Sequence, residues 1–547
     1  MAFVRRKPNF IIFMTDQQRT IQDFPEEWVA ENLPNYTKFL TDGASFPENI
    51  CNTSPCGPSR ASVFTGMYPS ENGVTSNFGT IEPCDMTFAN ILNNEGYDVH
   101  YMGKLHMRKD ITDFSTTWPE EDSDNAAQTA FDENSLLEND YGMYSWTSPD
   151  FGTMLVQGTD LTKCDLANLA AGGLNDYGYN DKRVVTGEGN ISPEPSSVRE
   201  VLERLQSDEQ EKPFCLVISL LNPHDVSMYP EGWEEAGYKE SDFTNSSFDD
   251  FELPRSYADS LNSKPNVQAA YLNTSCHGKL IDTPDTSYAL EYLKFYAYLH
   301  KLSDELLGSV MDSLKKKTLQ RTMLIRMADH GEMGMSHGGL QEKNFSMYNE
   351  MIRVPMIWMH PDIKSGIRPQ MVSLIDLVPT LGALAGANLS DYPQLQGVDY
   401  SEAIFNPNAP SQEAVLFNFP YNAPPPSDDE ALVEPQGMYI QNPNAPAGTT
   451  PTDYPNNIYA MITSESKFAV YYKFDENEKL EWGTAEFELY DLNTDPDEMT
   501  NLIPVPANEE TYSDIHLELI RANFIKLTEL IISKRIKFPN GWNYFNI

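Results

Sequence analysis

Phe10-Ile11-Ile12-Phe13-Met14 is a short apolar run near the start of the chain, and it ends at Thr15-Asp16. A run of this length with polar residues after it is typical of a buried β-strand. Further runs of the same kind lie at Asp98–Met102, Phe214–Leu221 and Thr322–Met327. Helical patterns lie between them, for example over Thr87–Leu92 and residues 285–316. Strands that alternate with helices predict an α/β fold, with a large, mainly parallel sheet flanked by helices.

Polar side chains follow each of these predicted strands. Asp16 follows the first run, Lys104 the second, His224 the third and Asp329 the fourth. In sheets of this class, ligands bind at the carboxyl ends of the strands. We therefore expect these residues to converge on one edge of the sheet.

The chain of 547 residues is too long for one ordinary domain. We predict a large unit over residues 1–410, a loop or linker over residues 411–457, and a smaller unit over residues 458–547. Many prolines and asparagines in residues 420–457 indicate the linker. Strand patterns at Tyr459–Thr463, Phe468–Phe474 and Phe487–Leu492, followed by a helical pattern over 512–536, make the smaller unit an antiparallel α+β domain.

The chain is strongly acidic, with 81 acidic and 38 basic residues and a net charge of −43. This charge argues against nucleic acid and anionic membranes as partners. Any site that binds an anion must therefore be locally positive. No apolar stretch reaches the ~18 residues of a membrane span, no signal peptide is recognised, and six cysteines form no CxxC pair. These features predict a cytoplasmic protein.

The chemistry is indicated most strongly by Cys56-Gly57-Pro58-Ser59-Arg60, followed by Thr65-Gly66. This segment resembles the C-x-P-S-R…T-G signature of the type I, formylglycine-dependent sulfatases of the alkaline phosphatase superfamily. The resemblance implies that Cys56 is oxidised to formylglycine, whose hydrated aldehyde supplies the nucleophile. It also makes residues 1–410 the catalytic domain. A helix that starts near Pro58 would direct its positive end toward the nucleophile and the anion.

Two further segments resemble the family's metal-binding segments: Asp16-Gln17 and Asp329-His330-Gly331-Glu332. The resemblance implies one divalent metal held by Asp16, Gln17, Asp329, His330 and the modified Cys56. Carboxylate oxygens suit Ca²⁺ or Mn²⁺, and the His330 nitrogen moves the balance toward Mn²⁺ without excluding Ca²⁺. Asp-Gln and Asp-His at these positions are typical of the branch with choline sulfatases, some arylsulfatases and phosphonate monoester hydrolases.

Other catalytic residues are implied by Gly103-Lys104-Leu105-His106, Asn222-Pro223-His224 and Lys343. In the family pattern, Lys104 bridges the nucleophile and the sulfate, and His106 is the base of the second step. His224 protonates the leaving oxygen, Lys343 binds the sulfate or that oxygen, and Arg60 holds the diol. His337 also matches a family histidine, which we interpret as supporting structure.

The sequence leaves several alternatives open. Cys56 could be an ordinary turn cysteine or a thiolate nucleophile, although the predicted metal ligands argue against the latter. The same scaffold could act on phosphonate monoesters or phosphodiesters, or bind anions without catalysis if Cys56 stays unmodified. The expected partners are a small-molecule or saccharide sulfate ester and a formylglycine-generating enzyme, and association into oligomers stays open. Substrate choice is expected to depend on residues 107–200 and 225–290.

Overall fold

The computed structural model describes residues 7–77, 79–82, 86–106, 140–145, 198–207, 210, 212–230, 233–234, 238–272, 274–275, 286–421, 440–441, 451–506 and 511–542. The predicted insertion at 107–200 lies outside these residues, apart from 140–145 and 198–200. No helix within the described part of the chain combines the length and the apolar character that a bilayer crossing needs.

The strands, in chain order, are β1 (Asn9–Thr15), β2 (Ala44–Ser45), β3 (Asn49–Ile50), β4 (Asp98–Gly103), β5 (Phe214–Ser219), β6 (Thr274–Ser275), β7 (Thr322–Ala328), β8 (Met356–Met359), β9 (Gly366–Ile367), β10 (Val372–Ser373), β11 (Val415–Phe419), β12 (Ile440–Gln441), β13 (Asn457–Ile462), β14 (Ser466–Tyr472) and β15 (Glu486–Asp491). The helices are α1 (Glu26–Asn32), α2 (Pro34–Asp42), α3 (Cys56–Thr65), α4 (Pro69–Asn72), α5 (Phe88–Asn94), α6 (Val198–Leu205), α7 (Glu240–Phe243), α8 (Asn266–Tyr271), α9 (Thr286–Asp312), α10 (Lys316–Leu319), α11 (Ser336–Gly339), α12 (Asn349–Ile352), α13 (Leu377–Ala385), α14 (Ser401–Phe405) and α15 (Asp514–Ser533). Every strand predicted from an apolar run is confirmed to within a few residues.

The large sheet has seven strands in the order β4-β5-β1-β7-β8-β2-β9. β4, β5, β1 and β7 run parallel to one another, whereas β8 pairs antiparallel with both β7 and β2. All seven residues of β1 are buried. Phe10 and Ile12 face one hydrophobic cluster, and Ile11 and Phe13 face the other, so both sides of the sheet are covered. The predicted α/β architecture is thereby confirmed.

A second sheet of four strands, β11-β13-β14-β15, is antiparallel throughout. Its outer face packs on α15 through a cluster that includes Phe468 and Phe524. Its inner face contributes Phe417 and Tyr471 to the same cluster that covers one side of the large sheet. The antiparallel C-terminal unit is confirmed in this form.

The linker prediction is wrong for two segments inside the predicted loop of 411–457, the two-residue β12 (Ile440–Gln441) and the longer β11 (Val415–Phe419). All five of its residues are buried, and β11 pairs with β13 along its whole length. A run of five residues next to a proline-rich stretch gives little periodicity, and its partner strand lies about 40 residues downstream. The division of the chain into domains otherwise stays a prediction.

Candidate active site

The carboxyl ends of four neighbouring strands meet at one level of the large sheet. Gly103 of β4 lies opposite Ser219 of β5, which lies opposite Met14 of β1, and Thr15 of β1 lies opposite Ala328 of β7. The next residues along three of these strands are Lys104, Asp16 and Asp329. His224 begins a 3₁₀ turn (His224–Met228) shortly after β5. The predicted convergence of strand ends is therefore found.

Arg60 lies at the centre of these residues, fully buried in the first turns of α3. Its guanidinium donates to Asp329 Oδ2 at 2.8 Å and to Asp16 Oδ2 at 3.2 Å. The same group donates to the Lys104 carbonyl at 2.6 Å and to Ser219 Oγ at 2.9 Å. Planar Arg suits such a fork of acceptors. Arg60 thus ties β1, β4, β5 and β7 together, in addition to any contact with a reacting group.

Cys56 is the first residue of α3, so the helix begins two residues before the predicted start near Pro58. Its Sγ lies 3.1 Å from His330 Nε2, 3.6 Å from Asp16 Oδ1 and 3.9 Å from Lys104 Nζ. Gly57 suits the position next to it because a Cβ there would lie 3.0 Å from the Asn77 Cα, a tight contact. The side chain of Cys56 therefore points away from the helix into the polar cluster, where it is fully buried.

Asp16, Cys56, Asp329 and His330 could together hold a metal ion. One donor atom from each residue lies within 4.8 Å of the others, and all four residues are buried. Two carboxylates and an imidazole are ligands that Mn²⁺ accepts, and the carboxylates also suit Ca²⁺. Within the described part of the chain, no other group of this kind is found. The donor set fits a divalent ion.

Gln17, the fifth predicted ligand, adjoins this cluster through its backbone and points its side chain toward Lys343. Its backbone N–H donates to Asp329 Oδ1 at 3.1 Å. Its side-chain oxygen accepts from Lys343 Nζ, and its amide nitrogen donates to Glu332 Oε2 at 2.5 Å. Lys343 also pairs with Glu342 at 3.2 Å. Metal ligation by Gln17 stays a prediction.

The acidic and basic groups of the site perturb one another strongly. Burial would raise the pKa of Asp16, but Lys104 at 2.5 Å and Arg60 outweigh it and hold that pKa well below its ordinary value. For His330, burial lowers the pKa, but the neighbouring Asp329 and Cys56 raise it to about 9. A bound divalent cation would replace that proton, because a metal ligand must be a neutral imidazole.

His106 and His224 are both fully buried near the cationic groups. Burial, Lys104 and Arg60 hold the pKa of His106 well below its ordinary value. Burial, Lys104 and Lys343 do the same to the pKa of His224. Neither ring nitrogen of His224 has a hydrogen-bond partner among the described residues. His224 is therefore a neutral imidazole with two nitrogens available to a ligand.

His337 lies apart from the metal cluster. Its ring stacks on Tyr348 with centroids 3.6 Å apart, and its Nδ1 lies 3.1 Å from Asp259 Oδ2. Its Nε2 lies 3.7 Å from Glu350 Oε2. These contacts agree with the interpretation of His337 as supporting structure.

Two residues of the site have roles that the sequence did not indicate. Ser219 receives a hydrogen bond from Arg60, and Glu332 receives one from Gln17. Ser219 could have been suspected as the last residue of an apolar strand. Glu332 stands in a quoted segment, but spacing alone gave no sign that it contacts Gln17, 315 residues away.

Comparison with known proteins gives matches along most of the chain. A family model described as Sulfatase matches residues 8–387. Arylsulfatase K of Mus musculus is 25% identical over 519 residues, which are 93% of this chain and 78% of that protein. Choline-sulfatase of Rhizobium meliloti is 26% identical over 416 residues, 73% of each chain. Among solved structures, the phosphonate monoester hydrolase of Agrobacterium radiobacter superposes with a TM-score of 0.60 at 17% identity, covering 96% of each chain, which shows a shared fold.

Proposed function

The chain belongs to the sulfatase family of sulfuric ester hydrolases, and on this premise we propose that it hydrolyses a sulfate monoester by S–O cleavage through a formylglycine formed from Cys56. The observation that carries the proposal is the buried cluster of Asp16, Cys56, Asp329 and His330 beside Lys104. A sulfate ester is an anion that needs cationic contacts, a metal and a nucleophile at one point. These side chains offer a cationic contact, donors for a metal and the residue that would become the nucleophile within one small volume.

The metal would be held by Asp16, Asp329, His330 and the modified residue 56, with the Gln17 amide oxygen as a further ligand. When bound, a divalent ion would withdraw charge from sulfate oxygens and lower the pKa of a nearby hydroxyl. In the structure residue 56 is a cysteine, and its Sγ marks the direction in which the oxygens of the hydrated aldehyde would project. That direction faces His330 and Asp16.

The positive charge that attracts an anion would come from buried cationic side chains together with the bound metal. Arg60, Lys104 and Lys343 are each 2% exposed or less, in a chain of net charge −43. The exterior charge is screened over about 8 Å at physiological ionic strength, whereas buried charges are screened much less. Lys104 and Lys343 would bind the sulfate oxygens. Arg60 would fix the carboxylates and hold the diol.

The chain's own groups supply the proton transfers. One hydroxyl of the hydrated aldehyde loses its proton to solvent, and its oxygen attacks sulfur. The bond from sulfur to the ester oxygen breaks as His224 donates a proton to that oxygen. His106 then removes the proton of the second hydroxyl, the aldehyde C=O forms again and sulfate departs. Buried His106 is neutral, as a base must be.

His224 must carry a proton to act as the acid. Burial, Lys104 and Lys343 lower the pKa of His224, so the ring has no such proton before substrate binds. The negative charge of a bound sulfate ester acts in the opposite direction and raises this pKa. We therefore propose that His224 takes up its proton as substrate binds. His224 then carries its proton only while a substrate, with its leaving oxygen, is bound.

The proposed substrates are small-molecule or saccharide sulfate esters, and maturation would require a formylglycine-generating enzyme. A phosphonate monoester or phosphodiester resembles a sulfate ester in shape and charge, and it is the rival substrate class. The test is turnover of 4-nitrophenyl sulfate, 4-nitrophenyl phenylphosphonate and bis(4-nitrophenyl) phosphate by protein coexpressed with the maturation enzyme, in Ca²⁺ or in Mn²⁺.

Dominant sulfate turnover that is lost on chelation and restored by metal supports the proposal. Dominant phosphonate or diester turnover would mean that the substrate belongs to that class, and the assignment of the site would remain. Turnover that survives chelation, or protein in which Cys56 is unmodified yet fully active, contradicts the metal and formylglycine chemistry.

A further inference from the structure

Three tyrosines of α9 connect the helix to the loops of the active site. Tyr288, Tyr292 and Tyr296 are spaced four residues apart, so they lie along one side of the helix. The Tyr296 hydroxyl donates to the Gln17 carbonyl at 2.6 Å, and the Tyr292 hydroxyl donates to Glu332 Oε1 at 2.8 Å. Tyr288 accepts from Gln341 at 2.7 Å. Of these, Tyr292 reaches a carboxylate that itself contacts a predicted metal ligand.

The Glu332 carboxylate is held at both oxygens. Oε1 accepts from the Tyr292 hydroxyl and from the backbone N–H groups of Gly334 at 3.0 Å and Glu342 at 2.8 Å. Oε2 accepts from the Gln17 side-chain nitrogen at 2.5 Å. Glu332 is fully buried. With Oε1 fixed by three donors, Oε2 can only face Gln17.

This arrangement fixes which way the Gln17 amide points. In the observed orientation, NH₂ faces the Glu332 carboxylate and the oxygen faces the Lys343 ammonium. Reversal of the amide would place its NH₂ against the ammonium and its oxygen against the carboxylate. Both contacts would then be repulsive in a buried environment, where such interactions are strong.

We propose that Glu332, held by Tyr292, is a positioning residue that keeps the carbonyl oxygen of Gln17 directed into the metal and sulfate site. The inference rests on the proposed function, in which Gln17 is a ligand. Only the oxygen of an amide can bind a hard cation, whereas both oxygens of a carboxylate can. Gln at position 17 therefore needs a hydrogen-bond acceptor for its NH₂ group, so that its oxygen faces the metal. Asp or Glu at that position would not need one.

The test measures metal binding to the full, matured chain by calorimetry, with Ca²⁺ or Mn²⁺, whichever the wild-type protein binds more tightly. Loss of an outer hydrogen-bond partner of a metal ligand typically weakens metal affinity by about 10- to 100-fold. We expect a loss of this size for Glu332→Gln and a smaller one, about 3- to 10-fold, for Tyr292→Phe, which removes one of the three donors that fix Oε1. Tyr298→Phe is the matched control, because Tyr298 lies on the same helix but packs its ring against Tyr238 instead.

The same Glu332→Gln substitution, made in a Gln17→Glu protein, separates positioning from a general structural role. In Gln17→Glu protein the ligand needs no orientation and its carboxylate would face that of Glu332, so Glu332→Gln should relieve a repulsion and leave metal affinity unchanged or raised. A merely structural role of Glu332 would give the same loss in both backgrounds and would overturn the inference. Equal metal affinity of wild type, Glu332→Gln and Tyr292→Phe would overturn it as well. Absence of metal binding in the wild type would instead overturn the proposed function on which the inference rests.

Discussion

Replacement of Arg60 by Met should destabilise the metal-free protein and should do so much less when metal is bound. Arg60 is the shared partner of Asp16 and Asp329, and all three side chains are fully buried. Removing one member of a buried ion pair typically costs about 3–5 kcal/mol, because the remaining charge is left without compensation. A divalent cation between the two carboxylates would restore much of that compensation.

The expected fall in melting temperature can be calculated from the size of the large predicted domain that contains Arg60. Unfolding entropy is about 2.1 cal/mol/K per residue, so a unit of roughly 400 residues has about 0.8 kcal/mol/K. A loss of 3–5 kcal/mol then lowers the melting temperature by about 4–6 °C. With saturating Mn²⁺ or Ca²⁺ we expect less than half of that deficit.

The assay is differential scanning calorimetry of Arg60→Met, with and without metal. Arg326→Met is the matched control, because Arg326 is also buried but donates to neutral groups, among them Thr15 Oγ1 at 3.0 Å and the Met327 carbonyl at 2.5 Å. Its deficit should not depend on metal. A metal-free Arg60→Met protein that melts within about 1 °C of wild type would refute the reasoning, as would equal metal dependence of the two variants.

Three further outcomes are expected. Cys56→Ala should abolish sulfate ester turnover and leave the melting temperature nearly unchanged, while Cys51→Ala, at an equally buried cysteine, should remain active; turnover by the first variant would contradict the role of Cys56. His224→Ala should slow an alkyl sulfate by about 10²- to 10⁴-fold and 4-nitrophenyl sulfate far less, because nitrophenolate leaves without protonation; equal losses for both substrates would exclude His224 as the acid. For His300, burial holds the pKa at about 3. Since the unfolded chain binds this proton below pH 6.5, the contribution of His300 to stability is complete above pH 6.5 and falls by up to about 1.4 kcal/mol per pH unit below it. The urea midpoint of wild type should therefore fall relative to that of His300→Phe between pH 6.5 and pH 5. A constant difference between the two midpoints would contradict the assigned pKa.

Much of the site was predictable because its signals are local in sequence. The strand that ends before Asp16 and the helix that carries Cys56 and Arg60 are each specified by fewer than a dozen consecutive residues. Parallel pairing of neighbouring strands then follows from the alternation of strands and helices. That pairing is sufficient to bring Lys104 and Asp329 to the same edge.

The contacts that orient these side chains were not predictable, because their partners are distant along the chain. Gln17 and Lys343 are 326 residues apart, and Tyr292 meets Glu332 only because α9 lies against the loops that follow β1 and β7. The strand at Val415–Phe419 is a similar case, since its partner decides that it is a strand and not a loop.

The sequence alone determined the fold class, and it predicted Cys56 and most other groups of the candidate site, since short-range pattern specifies strands, helix starts and the residues that follow them. Tertiary structure decided how those groups are paired: Arg60 between two carboxylates, and the Gln17 amide between Lys343 and Glu332. Hydrogen bonds depend on distances of a few tenths of an ångström between atoms, and only the packing of the whole chain fixes such distances.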